Sequence, residues 1–295
     1  MGGPAAPTDV SFVIASQNRA AELASVLTRL LDTTPCPIVV VDNASTDGSA
    51  AAVRKLTARS AGRLQLVELS VNLGAVGRNV GVAACRTPYA AFCDDDSWWV
   101  PEAPAMGAEA FERHPSVGLL AARTIVLPQR TEDRFCTLLA DSPLGHRPDL
   151  PGPSILGFMS CAAMVRKRAF EQAGGFSDIL HFRGEEQLLA LDMATAGWDL
   201  CYYPRLVAIH QPSTVRATTA AQQARVLRND VLTTWLRRPI RRCLSATGRL
   251  ALAALRDRDH ARGAVEAVAR LPAVMARRRP LPSAVEQAVS LLESS

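Results

Sequence analysis

Tyr89-Ala90-Ala91-Phe92-Cys93-Asp94-Asp95-Asp96-Ser97 joins an apolar run to three consecutive carboxylates. The run has the length and composition of a buried strand, so the aspartates leave from its carboxyl end. Like charges at that spacing repel, and each raises the pKa of its neighbour. A divalent cation relieves the repulsion, and carboxylate oxygens are the hard ligands that Mg2+ or Mn2+ prefers. A solvated acidic turn is the competing explanation. The stretches on either side decide between them.

Upstream, short apolar runs alternate with helical patterns. Val10–Ala15 and Ile38–Val41 read as buried strands, and Leu64–Leu69 as a third. Between the first two, Leu23, Val26, Leu27, Leu30 and Leu31 form an i, i+3, i+4, i+7, i+8 stripe, and Pro35-Cys36-Pro37 stops that helix. A second helix is expected over 49–60, capped by Ser45 or Thr46, and a third over Val76–Cys85 after the turn Asn72-Leu73-Gly74. Strand and helix alternating at this spacing predict βαβ units and a parallel sheet. Ligands of such sheets bind at the carboxyl ends of the strands, near a switch in strand order. The polar exits Ser16–Arg19, Asp42–Asp47 and Asp94–Asp96 therefore share one rim. Neither GxGxxG nor a Walker pattern is present, which argues against a nicotinamide or P-loop nucleotide site.

Downstream, Trp98-Trp99-Val100-Pro101 is expected to open a helix, with Pro101 in its first turn. Val117–Val126 is a strand. Residues 131–153 are long, irregular and proline-rich, as binding loops and lids are. Ile155–Val165 is apolar, Arg166–Ala173 helical, and Gly184-Glu185-Glu186 opens a helix running from Gln187 to Ala196. Leu200–Pro204 and Leu206–Ile209 form a closing strand pair that leads to His210.

The chain has 295 residues, 48% apolar and 21% charged, with a net charge of +5, which suits a globular protein of one large or two modest cores. Its seven cysteines are scattered and contain no CxxC pair. That argues against a disulfide scaffold or a structural zinc site and fits a reducing cytoplasm. The first nine residues have no basic or apolar leader segment and are expected to be flexible. No run is long and apolar enough for a transmembrane helix. From about 216 to 295 helical patterns prevail, with Arg237-Arg238, Arg241-Arg242 and Arg277-Arg278-Arg279 predicting a basic face. Such a face would serve either peripheral contact with anionic lipid or a homodimer. Without aromatic platforms it does not suit nucleic acid.

Four stretches together carry a resemblance: Val13–Arg19, Val40–Ser49, Asn72–Gly74 with Gly77-Arg78-Asn79, and Asp94–Asp96. In this order the chain resembles the family 2 glycosyltransferases over roughly residues 10–213. The resemblance implies a GT-A, Rossmann-like, mostly parallel α/β sheet flanked by helices. The catalytic domain would span 10–215, with a nucleotide-binding half over 10–100 and an acceptor half over 101–215. A basic helical extension would follow over 216–295.

It also implies an inverting transfer from a UDP-, dTDP- or GDP-sugar to a small-molecule or lipid-linked acceptor, at the cytoplasmic face of a membrane or free in the cytoplasm. Ala15, Ser16, Asn18, Arg19, Asp42, Asn72, Gly74, Arg78, Asp94 and Asp95 would bind the nucleotide. Asp42 would meet the base, Arg78 the base or diphosphate, and Asp94 the ribose. Asp96 would ligate Mn2+ or Mg2+, with Asp94 and His210 as further candidates. Glu186, beside Glu185, would be the general base at a helix N-terminus that favours its ionised form. It stands where the family usually has Asp, and the extra methylene moves the oxygens by about 1.3 Å. Trp98, Trp99, Gly157 and Phe158 would line a sugar or acceptor pocket. Competing readings are a non-catalytic nucleotide-sugar binding protein and a sugar nucleotidyltransferase; the glycine-rich, lysine-bearing phosphate loop of the latter is missing.

Overall fold

The computed structural model describes residues 9–213 and 219–294. The expected lead-in, except residue 9, and the expected boundary near 215 lie outside them. Four parallel strands form one half of the sheet: β1 (Val10–Ser16), β2 (Ile38–Asp42), β3 (Leu64–Glu68) and β4 (Tyr89–Cys93) stand in the order β3-β2-β1-β4. The chain thus builds outward from β1 to β3, then crosses back to place β4 on the other side of β1. The crevice at that switch lies between Ser16 and Asp94.

Helices α1 (Ala20–Thr33), α2 (Ser49–Thr57) and α3 (Val76–Ala84) make the crossovers. Alternation along the strands sends side chains to two cores. Phe12, Ile14, Ala91 and Cys93 join Leu23, Leu27 and Leu30 of α1 on one face. Val13, Ala90 and Phe92 join Val82 of α3 on the other. Full burial of each leucine on α1 contributes about 1.5–3 kcal/mol, so the helix is fixed by packing more than by its own propensity.

Beyond β4 the sheet becomes mixed. β8 (Ala163–Arg166) runs antiparallel to both β4 and β6 (Val117–Val126), and β9 (Asp199–His210) runs parallel to β6. The expected strand pair is this one long strand. Its pairing slips between Tyr203 and Val207, while β6 advances only from Ala122 to Arg123. Pro204 falls in the slip, where no ladder N–H is required.

The expected helix at Trp98 is instead a short strand, β5 (Ser97–Trp99), antiparallel to β9 at the sheet edge. The chain turns where the Asp94 amide donates to the Ser97 hydroxyl oxygen at 2.7 Å. Helix α4 (Ala103–Arg113) begins later, with Pro104 rather than Pro101 in its first turn. The expected long loop over 131–153 contains β7 (Thr131–Glu132) and α5 (Arg134–Ala140). The second half also supplies α6 (Lys167–Gln172) and α7 (Glu185–Thr195).

Four helices complete the described chain: α8 (Thr219–Arg237), α9 (Ile240–Ala254), α10 (Arg258–Ala276) and α11 (Ser283–Ser294). Val231, Leu232 and Leu236 of α8 share a core with Ile179, Leu180 and Leu188, so the helical layer is welded to α7 and the segment before it. The expected basic face is largely taken up internally. Arg237 clasps Asp192 of α7, with Nη2 2.9 Å from Oδ2. Arg238 is 5% exposed and pairs with Glu286 at 2.7 Å and Glu293 at 2.6 Å. Arg277 pairs with Asp178, and Arg278 donates to the Arg238 carbonyl at 2.7 Å. Arginines clustered in sequence repel unless carboxylates neutralise them, and here Asp178, α7 and α11 provide those carboxylates.

All seven cysteines are free and buried. None of the described helices is long and apolar enough to cross a membrane.

Candidate active site

The strand exits do converge. At the end of β1, the Ser16 hydroxyl donates to Asp95 Oδ2 at 2.7 Å, bridging the switch crevice. Asn18 adopts φ 55°, a left-handed geometry that Asn tolerates, and its Oδ1 accepts from the Thr46 amide at 2.7 Å. Ser45 and Thr46 therefore tie the β2 exit to the β1 exit instead of capping α2. Gly48 is the N-cap residue, with a left-handed φ of 90°, and the Oδ1 of Asp47 before it accepts from the Ser49 amide at 3.0 Å.

Asp42 ends β2 and is 4% exposed. One carboxylate oxygen accepts from the Ser45 amide at 3.2 Å; the other, Oδ1, is buried with no hydrogen-bond partner among the described residues. A buried acceptor left in that state costs about 1–3 kcal/mol, so the position is built to receive a donor. Next to it, Asn43 holds the glycine turn: its Oδ1 accepts from the Leu73 amide at 3.2 Å and its Nδ2 donates to the Gly74 carbonyl at 3.0 Å. Gly74 has φ 60°, and a Cβ there would lie 2.3 Å from the His181 carbonyl oxygen, so only glycine fits. Asn72 bonds Gln17 at 2.6 Å and joins the third exit to the first.

That turn starts α3, which carries Arg78 into the interior at 3% exposure. Its Nη2 donates to Asp94 Oδ1 at 2.5 Å, and its Nη1 lies 3.7 Å from Glu185 Oε1. Burial by itself would lower the Arg78 pKa, but Asp94 and Glu185 more than reverse this and raise it, so the guanidinium stays charged. Arg78 is thus engaged by Asp94 on one side and Glu185 on the other.

The three aspartates have separate environments. Asp94 is held by Arg78. Burial raises the Asp95 pKa to about 6, opposed by the Ser16 hydrogen bond and assisted by the flanking aspartates. Asp96 Oδ1 lies 3.4 Å from His210 Nε2, and its Oδ2 accepts from the Ser213 amide at 3.1 Å. This meeting depends on β5, whose Ser97 pairs with His210. The Arg19 guanidinium, half-buried at the first exit, also bonds the Ser213 hydroxyl.

The acidic pair opens α7. Glu185 points inward at 2% exposure, and its Oε2 has no partner among the described residues. Burial first, and Glu186 second, push its pKa up, with Arg78 partly restraining the shift. Glu186 is only half-buried, and its Oε1 accepts from the Ser160 hydroxyl at 2.9 Å. Two adjacent carboxyls are therefore separated by environment, one sealed and one turned toward the rim.

Residues 11–174 match the family model for glycosyl transferase family 2, more than half of the chain. The chain belongs to glycosyl transferase family 2.

Among its relatives, the pre-mycofactocin glycosyltransferase of Mycobacterium tuberculosis is 30% identical over 233 residues, which make up 75% of this chain and 47% of that protein. This family 2 chain thus spans about half the length of the curated relatives it matches. Among solved structures, the mannosyltransferase PcManGT from Pyrobaculum calidifontis, in complex with GDP-Man and Mn2+, matches with a TM-score of 0.61 at 21% identity, over 98% of this chain and 80% of that one. S. aureus TarS 1-349 in complex with UDP-GlcNAc matches at 0.57 and 15% identity, over 76% and 66%. At these identities the likeness is one of fold, and the fold is GT-A.

Within the family 2 architecture not every expected site residue reaches the rim. Trp99 is 1% exposed, and its Nε1 donates to the Phe92 carbonyl at 3.0 Å, so it is core and lines no pocket. Phe158 is 4% exposed and packs in the core of the opposite sheet face. Trp98 is half-buried beneath Arg29, whose guanidinium carbon stands 4.2 Å from the ring centroid. Gly157 has only Phe135 nearby, 3.7 Å from where a Cβ would be. Ala15 lies beside Val41 at the β1–β2 exits. Ser160, Asn43 and His181 bond Glu186, the 72–74 turn and the Ala75 amide respectively; of the three only Asn43, next to Asp42, stands in a stretch that resembles the family.

Proposed function

We propose that the chain transfers a sugar from a nucleoside-diphosphate sugar to an acceptor hydroxyl with inversion, assisted by Mn2+ or Mg2+. The observation that carries this reading is the meeting of Asp96 with His210 on the same rim as the unpartnered Asp42 oxygen. A separation of 3.4 Å is slightly wide for a hydrogen bond. It is close to the roughly 3 Å between neighbouring ligands of an octahedral ion with bonds of about 2.1 Å. No group of three or more His, Cys, Asp or Glu converges to hold a metal among the described residues. That suits an ion held by one or two side chains and completed by substrate phosphates and water. Asp96 and His210 would hold it. When bound, such a cation offsets the negative charge that accumulates on the departing diphosphate.

The remaining steps belong to the chain. Asp42 Oδ1 accepts a hydrogen bond from the base. Asp94, oriented by Arg78, accepts from the ribose. Glu186, fixed by Ser160 in the first turn of α7, takes the proton of the acceptor hydroxyl as that oxygen attacks the anomeric carbon. Glu185 stays sealed behind it.

Thermal unfolding with UDP, dTDP and GDP, each with and without Mn2+, tests this, because a ligand that binds only the folded state raises the melting temperature. One of the diphosphates should stabilise the protein only when Mn2+ is present, and Asp96→Ala should abolish the effect. Stabilisation without metal, or undiminished in Asp96→Ala, would overturn the cation's role.

A further inference from the structure

The turn that presents Glu185 and Glu186 is strained and is held from outside the sheet. His181 has φ 65° and Arg183 φ 76°, both in the left-handed region, and Gly184 follows at φ 80°. Non-glycine residues persist there only where their surroundings over-determine the conformation. Within the turn, one local bond runs from the Phe182 amide to the Leu180 carbonyl at 2.9 Å. The other restraints come from α8 and from the start of α3.

Asn229 of α8 is 0% exposed. Its Nδ2 faces three carbonyl oxygens of the turn: Arg183 at 2.6 Å, Leu180 at 2.9 Å and Phe182 at 3.1 Å. Only the amide nitrogen can face three acceptors, which fixes the orientation of the side chain. Its Oδ1 accepts from Arg228 Nε at 2.9 Å, and Arg228 Nη2 donates to the Leu180 carbonyl at 2.9 Å. The carbonyl of the intervening residue, His181, points the other way and accepts from the Ala75 amide at 2.7 Å. The turn is therefore gripped on one side by α8, touches the start of Arg78's helix on the other, and ends at the acidic pair.

We propose that Asn229 is a positioning residue that sets the placement of Glu186 by holding the 180–184 turn in its left-handed conformation. The helical layer thereby completes the active site without touching substrate. The proposal rests on Glu186 as general base. Displacing a base by about 1 Å costs roughly a hundredfold in rate, whereas loss of a packing contact distant from the site lowers stability and leaves turnover of the folded protein intact.

Asn229→Ala tests it in the full chain, well below its melting temperature. The readouts are nucleoside-diphosphate release from UDP-, dTDP- and GDP-sugars with Mn2+, and amide hydrogen exchange. Expected are a fall in kcat of at least about tenfold, a donor KM within about threefold of wild type, and faster exchange at 181–186 while α8 stays protected. Asn229→Ser, which keeps one donor, should fall between the two and serves if the alanine variant does not fold. Unchanged kcat with unchanged exchange at 181–186 overturns the clamp. Glu186→Gln, run alongside, separates the two ideas. If it turns over at the wild-type rate while Asn229→Ala still loosens 181–186, the base assignment fails and the clamp on the turn stands.

Discussion

The guanidinium of Arg78 and the carboxyl group of Glu185 lie 3.7 Å apart with side chains 4% and 2% exposed, and Arg78 holds Asp94 in the same grip. One buried cation thus links the strand exit after β4 with the first turn of α7. Removing one partner of a buried pair leaves the other uncompensated and costs about 3–5 kcal/mol. Arg78→Met should lower the chemical-denaturation midpoint accordingly. Arg78→Met combined with Glu185→Gln should lose less than Arg78→Met alone. Equal losses in the single and double variants would show that the two groups are not coupled.

Glu185 also gives stability a pH dependence of definite sign. Burial raises its pKa in the folded chain above the ordinary 4.5, so the native state keeps a proton that the unfolded chain has released. Its contribution to stability is present below 4.5 and is lost as pH rises through the raised folded value. Urea midpoints measured from acidic to slightly alkaline pH should fall more steeply for wild type than for Glu185→Gln. Parallel curves would contradict a raised pKa.

Asp96 and His210 should act as a pair on metal-dependent binding. Asp96→Ala and His210→Ala should each weaken Mn2+-supported binding of the preferred nucleoside diphosphate by about tenfold or more in titration calorimetry. Both should leave the melting temperature of the ligand-free protein nearly unchanged, since each side chain sits at the rim. A His210→Ala variant with wild-type metal dependence would reduce His210 to a structural partner of Asp96.

Asp42 is expected to behave in the opposite way to a structural residue. Asp42→Asn keeps an oxygen for the Ser45 amide and removes a charge that is buried without a full set of partners. The ligand-free protein should be as stable as wild type or more so, while nucleoside-diphosphate affinity falls by about tenfold. Lower stability with unchanged affinity would assign Asp42 to the fold and not to the base.

Glu186→Gln preserves size and can still pair with Ser160, but cannot accept a proton. Turnover should drop by about 10²–10⁴-fold with donor KM little altered. Survival of the wild-type rate would move the base elsewhere.

The first half of the sheet was legible because β1, β2 and β4 are apolar on both faces and their polar exits follow at once. β5 was not. Trp98 and Trp99 before Pro101 look like the start of a helix, and their strand state depends on an edge of β9 more than a hundred residues later. The same distance hid the fate of the arginines: nothing near Arg237 or Arg238 in sequence announces Asp192, Glu286 or Glu293. In the site, residues at strand exits could be read because topology brings such exits together. Trp99 and Phe158 misled because aromatic side chains suit a pocket wall and a core equally well until the opposing layer is known. Ser160 and Asn229 act through side-chain hydrogen bonds to partners far along the chain, for which one sequence holds no trace.

The burial of every cysteine makes the protein its own gauge of opening. Cys93 and Cys161 flank the acidic triplet's strand and the Glu186 side of the site, and burial raises both thiols well above their ordinary pKa. An alkylating reagent is kept from these buried thiols in the closed protein and labels only molecules that have breathed. Cys243, on α9 with its thiol against the Thr234 carbonyl of α8, reports separately on the helical layer. Comparing labelling at Cys161 and Cys243 would time the loosening of the sheet against that of the helices that brace it, with no added probe.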